Sequence, residues 1–335
     1  MNIYDIAKRS GVSIATVSRV LNGGKNVSAK TKEKVLAVMK EEGYTPNIFA
    51  RGLGLNSIKM VGILCTDVSD IYYAKAVSLV ESCLRAHGLD VLLCCTGNQL
   101  ENKKKYLKLL LQKRVDAVVL IGSAFKEDTD NSHIEEAAKQ VPVVIINGLV
   151  DLPGVICVLC DDKNAMMKNT SLLHSCGCER ILYLYDILTY SGRQKLNGFR
   201  EGCLAFGCEH PENLTIKVPK NIEGTREKVR SLLQDGVRFD AVIASEDIIA
   251  IGAQKALAEQ NLSLPIIGFN NSVFAQSATP ALTSVDSMLD TLCPTAVNLL
   301  MDFIQGKPIS NRVMISSRLV ERDTFSTETR GNVEK

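Results

Sequence analysis

Along the first forty residues, apolar positions recur at three- and four-residue spacing. Beyond residue 60 they gather into short continuous runs separated by amphipathic stretches. Ile3, Ile6 and Ala7 predict a first helix, ended by Gly11 where a residue tolerant of positive φ is needed. Ser13 opens a second helix by accepting a bond from the first-turn amides, and Val17, Val20 and Leu21 form its inward stripe. A third helix is capped by Ser28, lined by Val35, Leu36 and Met39, and stopped by Gly43.

The later runs are MVGILC at 60–65, LDVLLCC at 89–95, VDAVVLIG at 115–122 and PVVIIN at 142–147. A second set follows: RILYLY at 180–185, FDAVIA at 239–244 and LPIIGF at 264–269. Continuous apolar strands alternating with helices indicate parallel sheets covered on both faces. Two sets predict two doubly wound α/β subdomains, and ligands in such sheets bind outside the carboxyl ends of the strands. That places a cleft between the lobes.

The short helices at the start have their own chemistry. Ile14, Ala15, Thr16, Ser18, Arg19 and Asn22 point away from the apolar stripe. In a helix-turn-helix the second helix enters the major groove and offers such residues to DNA. Arg19 is the natural guanine reader, since its planar fork matches O6 and N7 together. Ile14 and Ala15 offer apolar contact, for instance with thymine methyls. Tyr4, Ser13, Thr16, Ser18 and Asn22 suit phosphates, which set register without reading sequence. The same helices would also serve as a hairpin inside a larger core.

Charge favours the nucleic-acid reading. Residues 1–56 hold nine Lys or Arg against four Asp or Glu, a balance of +5 in a chain of total +2, so the remainder carries −3. Length and a 46% apolar content allow two or three domains with sizeable cores. No run is long enough to span a bilayer and no signal-peptide pattern opens the chain, so a cytoplasmic location is expected, with no membrane partner. The eleven cysteines are odd in number and lie mostly in apolar runs, as reduced small hydrophobes do. Cys157 with Cys160 and Cys176 with Cys178 lack partner pairs at zinc spacing, and neither a metal nor a cofactor is expected. There is no P-loop and no dinucleotide fingerprint, and none of the four histidines sits at metal spacing. Asp161 and Asp162 look like a carboxylate pair, but they follow a strand and are expected to cap the next helix, so no catalytic residue is assigned.

IYDIAKRSGVSIATVSRVLNG, then VSAKTKEKV, then GYTPNIFARGL resemble, nearly position for position, the DNA-binding head and hinge of the lactose-repressor family of bacterial transcription regulators. The IATVSRV and ARGL segments look most like its catabolite-control branch. The resemblance implies a helix-turn-helix head at 1–45 and a hinge at 46–58 that folds when two copies meet in the minor groove. There Leu53 would wedge between base pairs, with Ala50 beside it and Asn47 near the backbone. It also implies a body at 59–325 similar to periplasmic sugar-binding proteins, with the chain crossing between lobes near Val158, Val285 and Ser317. Lobe one would hold about 59–157 and 288–316, and lobe two about 158–287 and 317–325. Pro294 should kink the helix expected there or move its start. Residues 326–335 are polar and are expected to form a disordered tail.

The resemblance also marks candidates in the cleft. DVSDIYYA fits a segment carrying a ligand-facing aromatic, which maps to Tyr72 with Tyr73 adjacent, while Ser123 and Asn147 end the next strands. In the second lobe Lys195 stands where the family commonly has Arg, Glu246 where Asn usually precedes Asp, Asn270 where Asp is usual, and Pro219 where an aromatic is often found. Asn270 and Lys195 do not reproduce the usual fork of Arg and Asp on a sugar. Glu246 with Lys195 would suit a zwitterion or amine, or the two would pair and close an empty cleft. The reading is a homodimeric, sequence-specific DNA-binding regulator, a repressor on a palindromic operator, controlled by a sugar, sugar phosphate or other metabolite in the cleft. The alternatives are control by a protein corepressor over a vestigial cleft, or a plain solute-binding protein.

Overall fold

The computed structural model describes residues 2–21, 26–43 and 58–327. The head contains helices α1 (Ile3–Ser10), α2 (Ile14–Leu21) and α3 (Ala29–Glu41). Asn2 and Asp5 form a capping box at the start of α1, and Gly11, at φ 62°, ends it. Ser13 Oγ accepts from the Thr16 amide at 3.1 Å, and Ser28 caps α3 through the Thr31 amide at 3.2 Å. Ile6, Ala7, Val17, Val20, Val35 and Met39 are the buried core, with Leu21 and Val38 packed at its edge. Leu36 is not part of that face, being 45% exposed. At about 100° per residue, Val35, Val38 and Met39 share one stripe and Leu36 falls beside it.

The body begins with strands β1 (Met60–Cys65), β2 (Asp90–Cys95), β3 (Ala117–Ile121), β4 (Val143–Ile146) and β5 (Val155–Cys160). Then come β6 (Ile181–Tyr185), β7 (Thr215–Lys217), β8 (Ala241–Ala244), β9 (Ile266–Phe269) and β10 (Thr283–Asp286). The last strands are β11 (Arg312–Ile315) and β12 (Arg318–Val320). They form two six-stranded sheets, ordered β11-β5-β4-β3-β1-β2 and β12-β10-β9-β8-β6-β7. Every pairing is parallel except β10 with β12. The chain leaves the first sheet after Cys160, returns after Asp286 and leaves again after Ile315.

Alternation along the strands sends successive side chains to opposite faces. In the first sheet Val61, Ile63 and Ala117 face α4 (Ile71–Ala86), while Leu64, Val118 and Leu120 face α5 (Leu100–Gln112) and α6 (Ser132–Ala138). In the second, Ile181, Tyr183 and Ile243 pack on α7 (Asp162–Ser175) and α8 (Tyr190–Ala205). Leu182, Leu184 and Val242 pack on α9 (Ile222–Gln234) and α10 (Asp247–Glu259). After the short α11 (Val273–Ser277), α12 (Leu289–Ile304) returns to the first lobe and buries Leu292, Ala296 and Leu300 there. Pro294 stays inside α12, in its second turn, so the start is not displaced beyond it.

The alternating faces also settle the cysteine motif on β5. Cys157 lies in one core of the first lobe and Cys160 in the other, so the two thiols project from opposite faces of one strand. All eleven cysteines are free. Among the described residues no group of three or more His, Cys, Asp or Glu is arranged to hold a metal ion, and no helix is long and apolar enough to cross a membrane.

Candidate functional site

Two surfaces bear the residues singled out in the sequence. On the head, Tyr4 is 65% and Ile14 41% exposed, Ser13, Ala15, Arg19 and Ser28 are exposed, and Thr16 and Ser18 are half-buried. Except for Tyr4 and Ser28 these stand on α2 or at its cap, opposite the buried Val17 and Val20. The Ser13 and Thr16 hydroxyls bond to each other at 2.9 Å, and those of Ser28 and Thr31 at 2.8 Å, so each has a local role at a helix start. Arg9 pairs with Glu42, tying α1 to the end of α3. Asn22, Asn47, Ala50 and Leu53 lie outside the described residues.

In the body, Tyr72, Tyr73, Ser123, Asn147, Lys195, Glu246 and Asn270 all line one cavity of about 240 Å³ between the lobes. The two sheets point their carboxyl edges at each other, and each residue follows a strand of one sheet or stands in the first two turns of a helix beside it. Tyr72 and Tyr73 meet edge to face, with ring centroids 5.5 Å apart. The Tyr72 hydroxyl is buried and has no hydrogen-bond partner. Asn147 is occupied by the scaffold: its Oδ1 accepts from the Cys160 amide at 3.1 Å and its Nδ2 donates to Asp162 at 3.4 Å.

Lys195 and Glu246 do not pair with each other. Lys195 is buried, donates to the Ser245 carbonyl at 2.9 Å and lies 3.7 Å from the centre of the Phe269 ring. Glu246 instead accepts from Asn270 Nδ2 at 2.7 Å and stands 3.7 Å from Lys220. The usual amide and acid of the resembling family have therefore changed places: the carboxylate sits on Glu246 and the amide on Asn270, in mutual contact. Pro219 does not line the cavity; its neighbour Lys220 does.

Lys220 also pairs with Asp70 of the other lobe at 2.8 Å. Burial alone would depress this ammonium, but Glu246, Asp70 and Asp186 outweigh it and hold the group above its ordinary value. Burial pushes the Glu246 carboxyl up to about 7, Lys220 and Lys195 pulling it down and Asp186 and Asp70 adding to the rise. Two further bonds span the lobes: Ser123 Oγ donates to Thr189 Oγ1 at 2.8 Å, and Arg193 grips Asp128 with one nitrogen at 2.5 Å and another at 3.3 Å.

Asp161 caps α7 by accepting from the Asn164 amide at 3.2 Å. Asp162, expected to do the same, is instead buried beneath the cavity and accepts from Ser191 at 2.5 Å. Sequence reasoning missed Asp70, Asp186, Thr189 and Lys220. Asp70 and Thr189 are helix caps, and Asp186 and Lys220 carry no motif.

Residues 59–329 match the periplasmic binding proteins and sugar binding domain of the LacI family, and residues 2–47 match the bacterial regulatory proteins, lacI family. An HTH-type transcriptional regulator of Lachnoclostridium phytofermentans is 48% identical over 330 residues, covering 97% of this chain and 99% of its own. Catabolite control protein A of Priestia megaterium is 27% identical, over 98% of this chain and 99% of its own. The fold matches that of a lac repressor dimer bound to operator and the anti-inducer ONPF, with a TM-score of 0.84 at 24% identity over 97% of this chain and 98% of that one. The protein belongs to the LacI family of bacterial regulatory proteins.

Proposed function

We propose that this is a cytoplasmic, dimeric, DNA-binding transcription regulator of the repressor type, whose grip on a palindromic operator is set by a small molecule in the inter-lobe cavity. The head spans 1–45, the hinge 46–58 and the ligand-binding and dimer-forming body 59–325. Arg19 reads a guanine, Ile14 and Ala15 touch base edges, and Tyr4, Ser13, Thr16, Ser18, Asn22 and Ser28 hold the backbone. Asn47, Ala50 and Leu53 act at the hinge, where Leu53 is the wedge.

The observation that carries this reading is the cavity itself. Residues from both lobes line it, and hydrogen-bonded pairs, Lys220 with Asp70 and Ser123 with Thr189, cross it. A ligand that replaces or adds to those contacts changes the preferred angle between lobes. In a dimer this changes the spacing of the two hinges and so the free energy of docking both heads. Such coupling is typically about 1–3 kcal/mol and is reciprocal: operator alters ligand affinity by the same factor.

The test is operator binding by the full chain and by Arg19→Ala. The expected result is that the variant loses its preference for operator over random DNA, by roughly 1–3 kcal/mol, while its affinity for random DNA changes little. Retained preference would remove Arg19 as the base reader.

A further inference from the structure

The cavity contains more carboxylate than its lysines neutralise. β6 and β8 are parallel neighbours with Leu184 opposite Ala244, so the residues just past their ends, Asp186 and Glu246, stand side by side at the carboxyl edge. β7 lies on the other side of β6 and is followed by Lys220, while Asp70 faces them from the first lobe. Two ammonium groups, Lys195 and Lys220, thus share the cavity with four carboxylates, Asp67, Asp70, Asp186 and Glu246, and Lys195 directs its hydrogen bond to the Ser245 carbonyl over the Phe269 ring. Glu246 accepts from Asn270 through Oε2 and Asp186 from Ser245 through Oδ1. Among the described residues, Glu246 Oε1 and Asp186 Oδ2 have no donor. Tyr72 lines the same cavity, and its hydroxyl is buried without a hydrogen-bond partner.

We propose that the ligand is a small polyhydroxylated amine, in its simplest form an amino sugar, whose ammonium group is held between Glu246 and Asp186. Ligands bearing phosphate or carboxylate are excluded by the same charge. The inference rests on the cavity being the effector site. The physical reason is charge complementarity: an ammonium group supplies the donors and the positive charge that two adjacent strand-end carboxylates lack. An anion would be desolvated in a field of its own sign.

The experiment is calorimetric titration of the full chain at neutral pH with glucosamine, galactosamine and mannosamine, their neutral parents and their 6-phosphates, repeated on Glu246→Gln. At least one amino sugar should bind at least about tenfold more tightly than its neutral parent, and the 6-phosphates should not bind. In Glu246→Gln the preference for the amine should fall to near onefold while any binding of the neutral parent persists. Should that variant not fold, Asp186→Asn makes the same test. A neutral or phosphorylated sugar binding as tightly as its amine overturns the inference and leaves the effector site standing. Silence from every amine also overturns it; silence from the neutral and phosphorylated sugars as well counts against the cavity as an effector site.

Discussion

The two lobes share a strand order, with the second strand outside the first and the third, fourth and fifth following on the other side, yet they bring different chemistry to the cavity between them. The first contributes mostly neutral groups, Tyr72, Tyr73, Ser123 and Asn147, with the carboxylates Asp67 and Asp70. The second contributes Asp186, Lys195, Lys220 and Glu246. Duplicating a scaffold therefore does not duplicate a site. Strand interiors are held to apolar residues by burial on both faces, whereas the positions just past the carboxyl ends carry no such constraint and are free to diverge.

The lobes also differ in how tightly their layers meet, and the largest predicted effect lies there. A Cβ at Gly198 of α8 would run into the Lys163 carbonyl of α7, which is backbone and cannot turn aside. The atoms nearest a Cβ at Gly62 of β1 belong to the side chain of Leu110. Gly198→Ala should cost roughly 3 kcal/mol despite the better helix propensity of Ala, and Gly62→Ala about 1 kcal/mol, by denaturant unfolding. Equal costs would break the asymmetry.

Next comes pH. In the folded protein the Glu246 carboxyl titrates at about 7 against an ordinary 4.5, so the native state holds its proton where the unfolded state has lost it. Its contribution to stability is retained below about 4.5 and falls as pH rises toward 7. The groups facing it are Lys220, Lys195, Asp186 and Asp70. Glu246→Gln, which cannot ionise, should gain on the parent between pH 5 and pH 8 in paired melts; parallel profiles would mean that burial does not raise the Glu246 carboxyl.

A smaller effect is expected from Lys220→Met, which leaves Asp70, Asp186 and Glu246 facing one another. Because Lys220 is about a third exposed, the loss should be about 1–2 kcal/mol, and added salt should shrink it. Smallest is Ser123→Ala, which removes one neutral inter-lobe bond to Thr189, for about 1 kcal/mol or less. If Ser123→Ala exceeds Lys220→Met, the neutral lobe governs closure rather than the charged one.

β1 to β4, β6, β8 and β9 were legible because they are continuous apolar runs. β5, equally apolar, was read only as the strand ahead of Asp161, and β10, β11 and β12 were not legible, for distinct reasons. β10 is TSVD, buried through hydroxyl bonds such as Thr283 to the Phe325 carbonyl at 2.6 Å and Ser284 to Asp247 at 2.5 Å. β11 and β12 are short sheet edges that need cover on one side only. In the cavity, strand-end position revealed Ser123 and Asn147, and resemblance revealed Tyr72, Tyr73, Lys195, Glu246 and Asn270. The bridging Lys220 was invisible, since it lies 150 residues from Asp70 and 26 from Glu246 along the chain.

Periodicity, caps and composition by themselves determined the head, the alternation of strands and helices, and the two-lobed plan, because each depends on which residues are apolar and how far apart they stand. Only the tertiary structure decided that Lys220 bridges the lobes, that Lys195 turns to a carbonyl and an aromatic ring, and that Asp162 is buried while Asp161 caps. A polar side chain takes the partner that the fold leaves within about 3 Å, and strands far apart in sequence choose that partner by lying side by side.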